Sequence, residues 1–265
     1  MINDHNNRFL IGAIFLNKRL NAYACYITEA INAGYTVEPL GAFHKHYGDN
    51  ERHFVLRHDV DHNGIATRKM FGCEKALGVK STYYFRKSTI DKPLIDEMIQ
   101  SGFEVGFHYE TIANYCEEKN VNEDKIDLVA CREMLKREIE EFENTIGHRI
   151  TSICSHGSPG LHISNNALVE DGIPEGWTVE FEAYEKAMYD HVDGHIMDCS
   201  ILNNYGFAYR DTPSFAIREG KTNIIFLAHP SHWYLSAWDR LLKLRELILG
   251  RATYGTERVF KRVAD

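Results

Sequence analysis

The chain has no Cys-x-x-C pair: Cys25, Cys73, Cys116, Cys131, Cys154 and Cys199 stand far apart. This argues against a disulfide framework and a cysteine zinc site, and it suits a reducing compartment. Long apolar runs are also missing. The longest near the N-terminus, Ile11 to Leu16, is too short for a membrane span or a signal-peptide core, so a cytoplasmic protein without a membrane span is expected. No Lys/Arg-rich run occurs, and 30 basic against 38 acidic residues leave a net charge of -8, which disfavours nucleic acid as a partner. Internal repeats and low-complexity linkers are absent too.

What remains is an ordinary globular composition, 44% hydrophobic and 26% charged over 265 residues. The length suits one barrel-sized domain spanning 1–265, with residues 1–50 as a helical segment packed on it. Helical spacing runs from Asn17 to Ala33 and stops at Gly34, and Val37 to Tyr47 reads as a second short helix with His44 and His46 on a solvated face. Strands are expected at His53–Val60, Ser81–Phe85, Phe103–Phe107, Ile150–Cys154, Ile196–Ile201 and Asn223–Ala228. Helices are expected at Gly64–Leu77, Lys92–Gln100, Ile126–Thr145 and Ser236–Leu249. Strands alternating with helices imply an α/β fold of parallel units.

Four strands end in polar, ligand-type clusters. They are Arg57-His58-Asp59-Val60-Asp61-His62, His108-Tyr109-Glu110, His156-Gly157-Ser158-Pro159 and His229-Pro230-Ser231-His232-Trp233. Parallel α/β folds gather such strand ends on one rim, where ligands bind. Strand alternation puts Arg57, Asp59 and Asp61 on one face and His58 on the other. Two carboxylates so placed repel unless a cation lies between them. His58 and His62 are expected to pack or support. His191-Val192-Asp193-Gly194-His195 has the spacing of a metal pair but reads as a loop with surface histidines, since it contains Gly and lacks a metalloprotease Glu.

At these residues the chain resembles the polysaccharide deacetylase superfamily, carbohydrate esterase family four, from about Phe54 to Trp233. It is most similar to deacetylase-like proteins of bacterial surface-polysaccharide synthesis. The resemblance implies a distorted or incomplete (β/α) barrel of seven or so parallel strands. It implies a divalent metal, zinc first, and removal of an N-acetyl group from a sugar or saccharide precursor. Asp59 would be the general base, oriented by Arg57; Asp61 and His108 would hold the metal; His229 would be the general acid, with His232 able to exchange roles with it.

One departure stands out. The family's second metal histidine falls at Ile112, so His156 is the preferred replacement and Glu110 the other. Asp211 is the candidate carboxylate behind His229, and Tyr109, Trp233 and Glu110 are candidate substrate contacts. Bland readings compete: Arg57 as an ordinary ion-pair partner, Glu110 as a helix N-terminal carboxylate, Trp233 as packing. Another amide C–N hydrolase and a degenerate sugar-binding protein are the alternative functions.

Overall fold

The fold comes from a computed structural model, which describes residues 18–62, 64–157, 161–198, 207 and 211–234. Its centre is β2 (His53–Val60), whose eight residues are all buried. Around it lie β1 (Thr36–Pro39), β3 (Thr82–Phe85), β4 (Glu104–Tyr109), β5 (Ser152–Ser155), β6 (Phe181–Glu182), β7 (Gly194–Met197) and β8 (Asn223–Ala228). The order β6-β5-β4-β3-β2-β8-β7 is parallel throughout. β1 pairs with the first half of β2 and β3 with the second half, so the two follow one another along the same edge. Among the described residues β6 and β7 remain unpaired with each other, which makes this a distorted, incomplete (β/α) barrel.

Alternation along each strand sorts side chains onto two faces. Phe54, Leu56, Tyr83, Phe85, Phe107, Ile153, Ile224 and Phe226 belong to the larger apolar cluster, shared with the helices. Full burial of such side chains contributes roughly 1.5–3 kcal/mol each. Val55, Tyr84, Cys154, Phe181 and Ile225 form a smaller cluster on the opposite face. Helices α1 (Lys18–Asn32), α2 (Leu40–His44), α3 (Ile65–Leu77), α4 (Lys92–Gln100), α5 (Thr111–Lys119) and α6 (Leu128–Ile146) accompany the strands. α3 and α6 stop at Gly78 and Gly147, both left-handed, which glycine adopts without a Cβ penalty. α6 starts where the Asp127 carboxylate accepts from the Val129 and Ala130 amides.

His58, turned to the outer face, donates to Glu74 of α3 at 2.6 Å. That buried carboxylate also accepts from Tyr23, Tyr83 and Ser81. The network satisfies polar groups that burial would otherwise leave exposed to a low dielectric.

Several expectations change. Residues 18–50 are not simply helical, because Thr36–Pro39 pairs with β2 in place of the first part of the helix expected from Val37. Tertiary pairing there overrides local periodicity. His44 stacks on Phe181 with ring centres 4.0 Å apart, and His46 pairs with Glu38, so neither is a merely solvated group. His195 sits half-buried in β7, not in a surface loop. That strand runs Gly194–Met197, earlier than expected, and the helix expected at Ser236–Leu249 lies outside the described residues. Among the described residues no helix is long and apolar enough to cross a membrane.

Gly106 of β4 offers a test of this packing. A Cβ there would meet the Tyr84 ring at 2.4 Å and the Ser152 carbonyl oxygen at 2.7 Å, and the backbone oxygen cannot yield. Gly106→Ala should lower the urea unfolding free energy by about 1–3 kcal/mol. An unchanged midpoint would mean that the strands are less tightly opposed at this point.

Candidate active site

β2 carries Arg57 and Asp59 on the inner face and delivers Asp61 just past its end. Arg57 is fully buried and donates through Nε and Nη2 to the two Asp59 oxygens, at 3.1 and 3.0 Å. Nη2 also points at the Cys154 sulfur at 2.7 Å, and the guanidinium lies 4.2 Å from the Tyr184 ring centre. Burial pushes the Asp59 carboxyl up, but the Arg57 charge and hydrogen bond, together with His108 and His229, hold the pKa below the usual carboxylate range. Arg57 is therefore more than a casual surface pair.

His108 is next to last in β4 and is 3% exposed. Its Nδ1 donates to the Cys154 carbonyl at 3.0 Å, which leaves Nε2 as the lone-pair nitrogen of the neutral ring. That Nε2 lies 3.5 Å from Asp61 Oδ1 and 3.8 Å from Asp59 Oδ2. His156, just beyond β5, brings its own Nε2 to 3.5 Å from the same Asp61 Oδ1. Asp61 Oδ1 is buried with no hydrogen-bond partner. Desolvation would raise the Asp61 pKa, but the nearby imidazoles of His108, His229 and His156 hold it well below normal. Burial and His108 in turn push His156 down, toward the neutral form that can ligate.

Asp61, His108 and His156 thus present one ligand atom each within 4.8 Å of one another. A zinc ion with bonds of roughly 2.0–2.2 Å holds its donors roughly 3–3.5 Å apart, so the residues fit the ion the resemblance implies. Ile112 is fully buried in the apolar cluster, and the histidine next to Asp61 and His108 comes from the end of β5. Glu110 is the N-cap residue of α5 but makes no side-chain cap bond. It pairs with Arg86, and its Oε2 lies 3.5 Å from His156 Nδ1. This places it behind the imidazole.

His229 follows β8, with Nε2 3.7 Å from Asp61 Oδ2. Its Nδ1 donates to Asp198 Oδ1 at 2.6 Å, and its amide donates to Oδ2 at 2.9 Å. His232 Nδ1 and the Trp233 indole N–H also reach Asp198, at 3.1 and 2.6 Å. Three expectations are corrected here. The carboxylate behind His229 is Asp198, while Asp211 is exposed. Trp233 is 3% exposed and packs among Tyr23, Tyr26, Phe207 and Phe226, so it has no free face for a sugar. Tyr109 is fully buried beside Phe107, because alternation turns it away from the face of His108. Asp198 escaped notice although it immediately follows the last residue of β7, as Asp61 follows β2. The strand-end rule would have found it, but the strand expected at Ile196–Ile201 made it an interior residue.

No family model matches the chain, and no curated protein matches it. Solved structures do. The Xyl-CE4 domain of a multidomain xylanase from the hindgut metagenome of Trinervitermes trinervoides is 14% identical, with TM-score 0.40 over 75% of this chain and 85% of that one. The polysaccharide deacetylase Bc1974 from Bacillus cereus is 20% identical, with TM-score 0.41 over 74% and 89%. BA3943 from Bacillus anthracis, a CE4 family pseudoenzyme, is 15% identical, with TM-score 0.42 over 75% of this chain and 62% of that one. These are likenesses at low identity.

Burial disfavours the charged His229 ring, but the Asp198 charge and hydrogen bond, with Asp59 and Asp61, push its pKa up to about 9. An unfolded histidine titrates near ~6.5. The stabilisation from this pair is therefore complete below about 6.5 and is lost as pH rises toward about 9. Thermal melts of chelator-treated protein should show the melting temperature declining across that window. Asp198→Asn should flatten the decline, and a flat wild-type profile would rule out a charged His229.

Proposed function

We propose that the chain is a metal-dependent hydrolase that removes an N-acetyl group from a sugar or saccharide precursor. The observation that carries this is the buried, unpartnered Asp61 Oδ1 facing two imidazole nitrogens at 3.5 Å, with Asp59 and His229 beside it. Asp61, His108 and His156 would hold the ion. When bound, a divalent ion, zinc by its nitrogen-rich donor set, supplies a Lewis acid and lowers the pKa of a water.

The remaining chemistry belongs to the chain. Asp59, ionised by its contact with Arg57, accepts the proton of the attacking water. Arg57 also fixes the carboxylate through two parallel bonds, so little reorientation is needed at the moment of reaction. His229 carries a proton on Nε2 for the departing amine, which is otherwise a very poor leaving group. Asp198 keeps that proton in place by holding Nδ1–H and the imidazolium charge. His232 shares the same Asp198 oxygen, so it supports His229 without replacing it. By the resemblance carried by Arg57–His62, the substrate would belong to the precursors of bacterial surface polysaccharides.

Acetate release from N-acetylated saccharides, with and without a chelator, tests this. Chelation should abolish release and zinc should restore it. Asp59→Asn and His229→Gln should each lower kcat by about 100- to 10,000-fold, the usual worth of a general acid or base. Release that survives both chelation and Asp59→Asn would defeat the mechanism. Turnover of other amides with none of N-acetyl sugars would keep the centre and change the substrate.

A further inference from the structure

Three neighbouring strands of the sheet each deliver a charged or ligating residue immediately past their ends. Arg86 follows β3, Glu110 follows β4 and His156 follows β5. Tyr109 pairs with Ser155 in the β4–β5 ladder, so Glu110 and His156 leave the sheet side by side, on strands roughly 4.8 Å apart. Arg86 Nη2 donates to Glu110 Oε1, and the other carboxylate oxygen, Oε2, lies 3.5 Å from His156 Nδ1. The three groups form a row along the rim, from guanidinium to carboxylate to imidazole. The Arg86 amide also donates to Thr89 Oγ1, and that hydroxyl donates to the Val60 carbonyl at the end of β2. The anchor of the row is thereby tied to the strand that leads into Asp61.

Other roles for Glu110 fit poorly. It is the N-cap residue of α5, yet its side chain accepts no bond from that helix. It stands outside the set of donor atoms that Asp61, His108 and His156 bring within 4.8 Å of one another. It meets Nδ1 of His156, whereas Asp61 Oδ1 faces Nε2 of the same ring, so the two carboxylates lie on opposite sides of the imidazole. The main chain of His156 is already pinned, since its amide donates to the Tyr109 carbonyl and its own carbonyl accepts from Asn165 Nδ2, both at 2.7 Å. The ring is not pinned in this way, because Nδ1 is buried with no hydrogen bond. A neutral imidazole has one N–H, and a ligating ring needs its lone pair on the other nitrogen. A carboxylate behind Nδ1 favours the proton there and frees Nε2 toward Asp61. The 3.5 Å separation is longer than a hydrogen bond, and contacts of this kind commonly tighten when a site takes its ligand. His108 obtains the same orientation from the Cys154 carbonyl.

Given the metal centre proposed above, on which this inference rests, we propose that Glu110, anchored by Arg86, is a positioning residue that orients His156 as a metal ligand. It touches neither the ion nor the substrate and acts only through the imidazole. In place of a histidine at Ile112, the chain uses His156 together with the carboxylate that aims it. Arg86 keeps that carboxylate turned toward Nδ1 and away from the ion.

Zinc affinity of the full-length chain, measured by competition with a chelating dye, tests this without any assay of hydrolysis. Glu110→Ala should bind zinc about 10- to 100-fold more weakly than the wild type. The Glu110 side chain is 27% exposed, so its removal spares the core. Glu110→Gln keeps an oxygen that can accept from Nδ1 and should recover part of the loss. The decisive comparison uses His156→Ala as the background. A residue that acts only through His156 has nothing left to orient there, so adding Glu110→Ala should change the affinity by less than about twofold. The full Glu110 effect in that background would overturn the proposal and make Glu110 a ligand in its own right. Wild-type affinity in Glu110→Ala would overturn it as well. A wild-type chain that takes up no zinc would remove the Asp61 centre and this inference together, whereas zinc uptake with additive effects would overturn only the role of Glu110.

Discussion

Within the sheet, the guanidinium of Arg57 lies flat against both oxygens of Asp59, shielded from water. Neither charge would be stable there alone, because burying an isolated ion costs several kcal/mol after relaxation. Paired, they set the electrostatics of the candidate site. Asp59 stays ionised, and its negative charge helps hold His229 protonated. The pair also fixes which face of β2 turns inward, since slipping the strand by one residue would put Arg57 and Asp59 among the aromatics packed under the helices. His58 could not replace them, because its partner Glu74 waits on the other side.

Charge balance recurs as the organising device at both ends of β2. At the C-terminal end, a partnerless Asp61 oxygen faces two imidazoles whose other nitrogens meet a carbonyl oxygen and a carboxylate. At the N-terminal end, two imidazoles are caught between two carboxylates. The Glu74 network shows the contrasting solution, in which a buried carboxylate is satisfied by hydroxyl donors and one histidine. Hydroxyls can turn to donate wherever they are needed.

Much of the candidate site was legible because parallel strands put their ends together, and four such ends carried ligand-type residues. Arg57, Asp59, Asp61, His108, His156 and His229 were all found this way, and they lie together. Asp198 was missed for a local reason. The β7 strand is short, and a boundary error of a few residues turns a strand end into a strand interior. Tyr109 and Trp233 were misjudged for a different one. Proximity in sequence to a ligand says nothing of direction, and both rings point into apolar packing.

The amino-acid order by itself determined the alternation of strands and helices and the inward face of β2, because both follow from periods of two and 3.6 residues that any short window contains. Which carboxylate backs His229, which histidine reaches Asp61 in place of Ile112, and that His46 and His53 meet around Glu38 were decided only by the tertiary structure. Each of these depends on the curl of the sheet and the reach of a connecting segment, and distances set by the packing of remote segments leave no periodic trace along the chain.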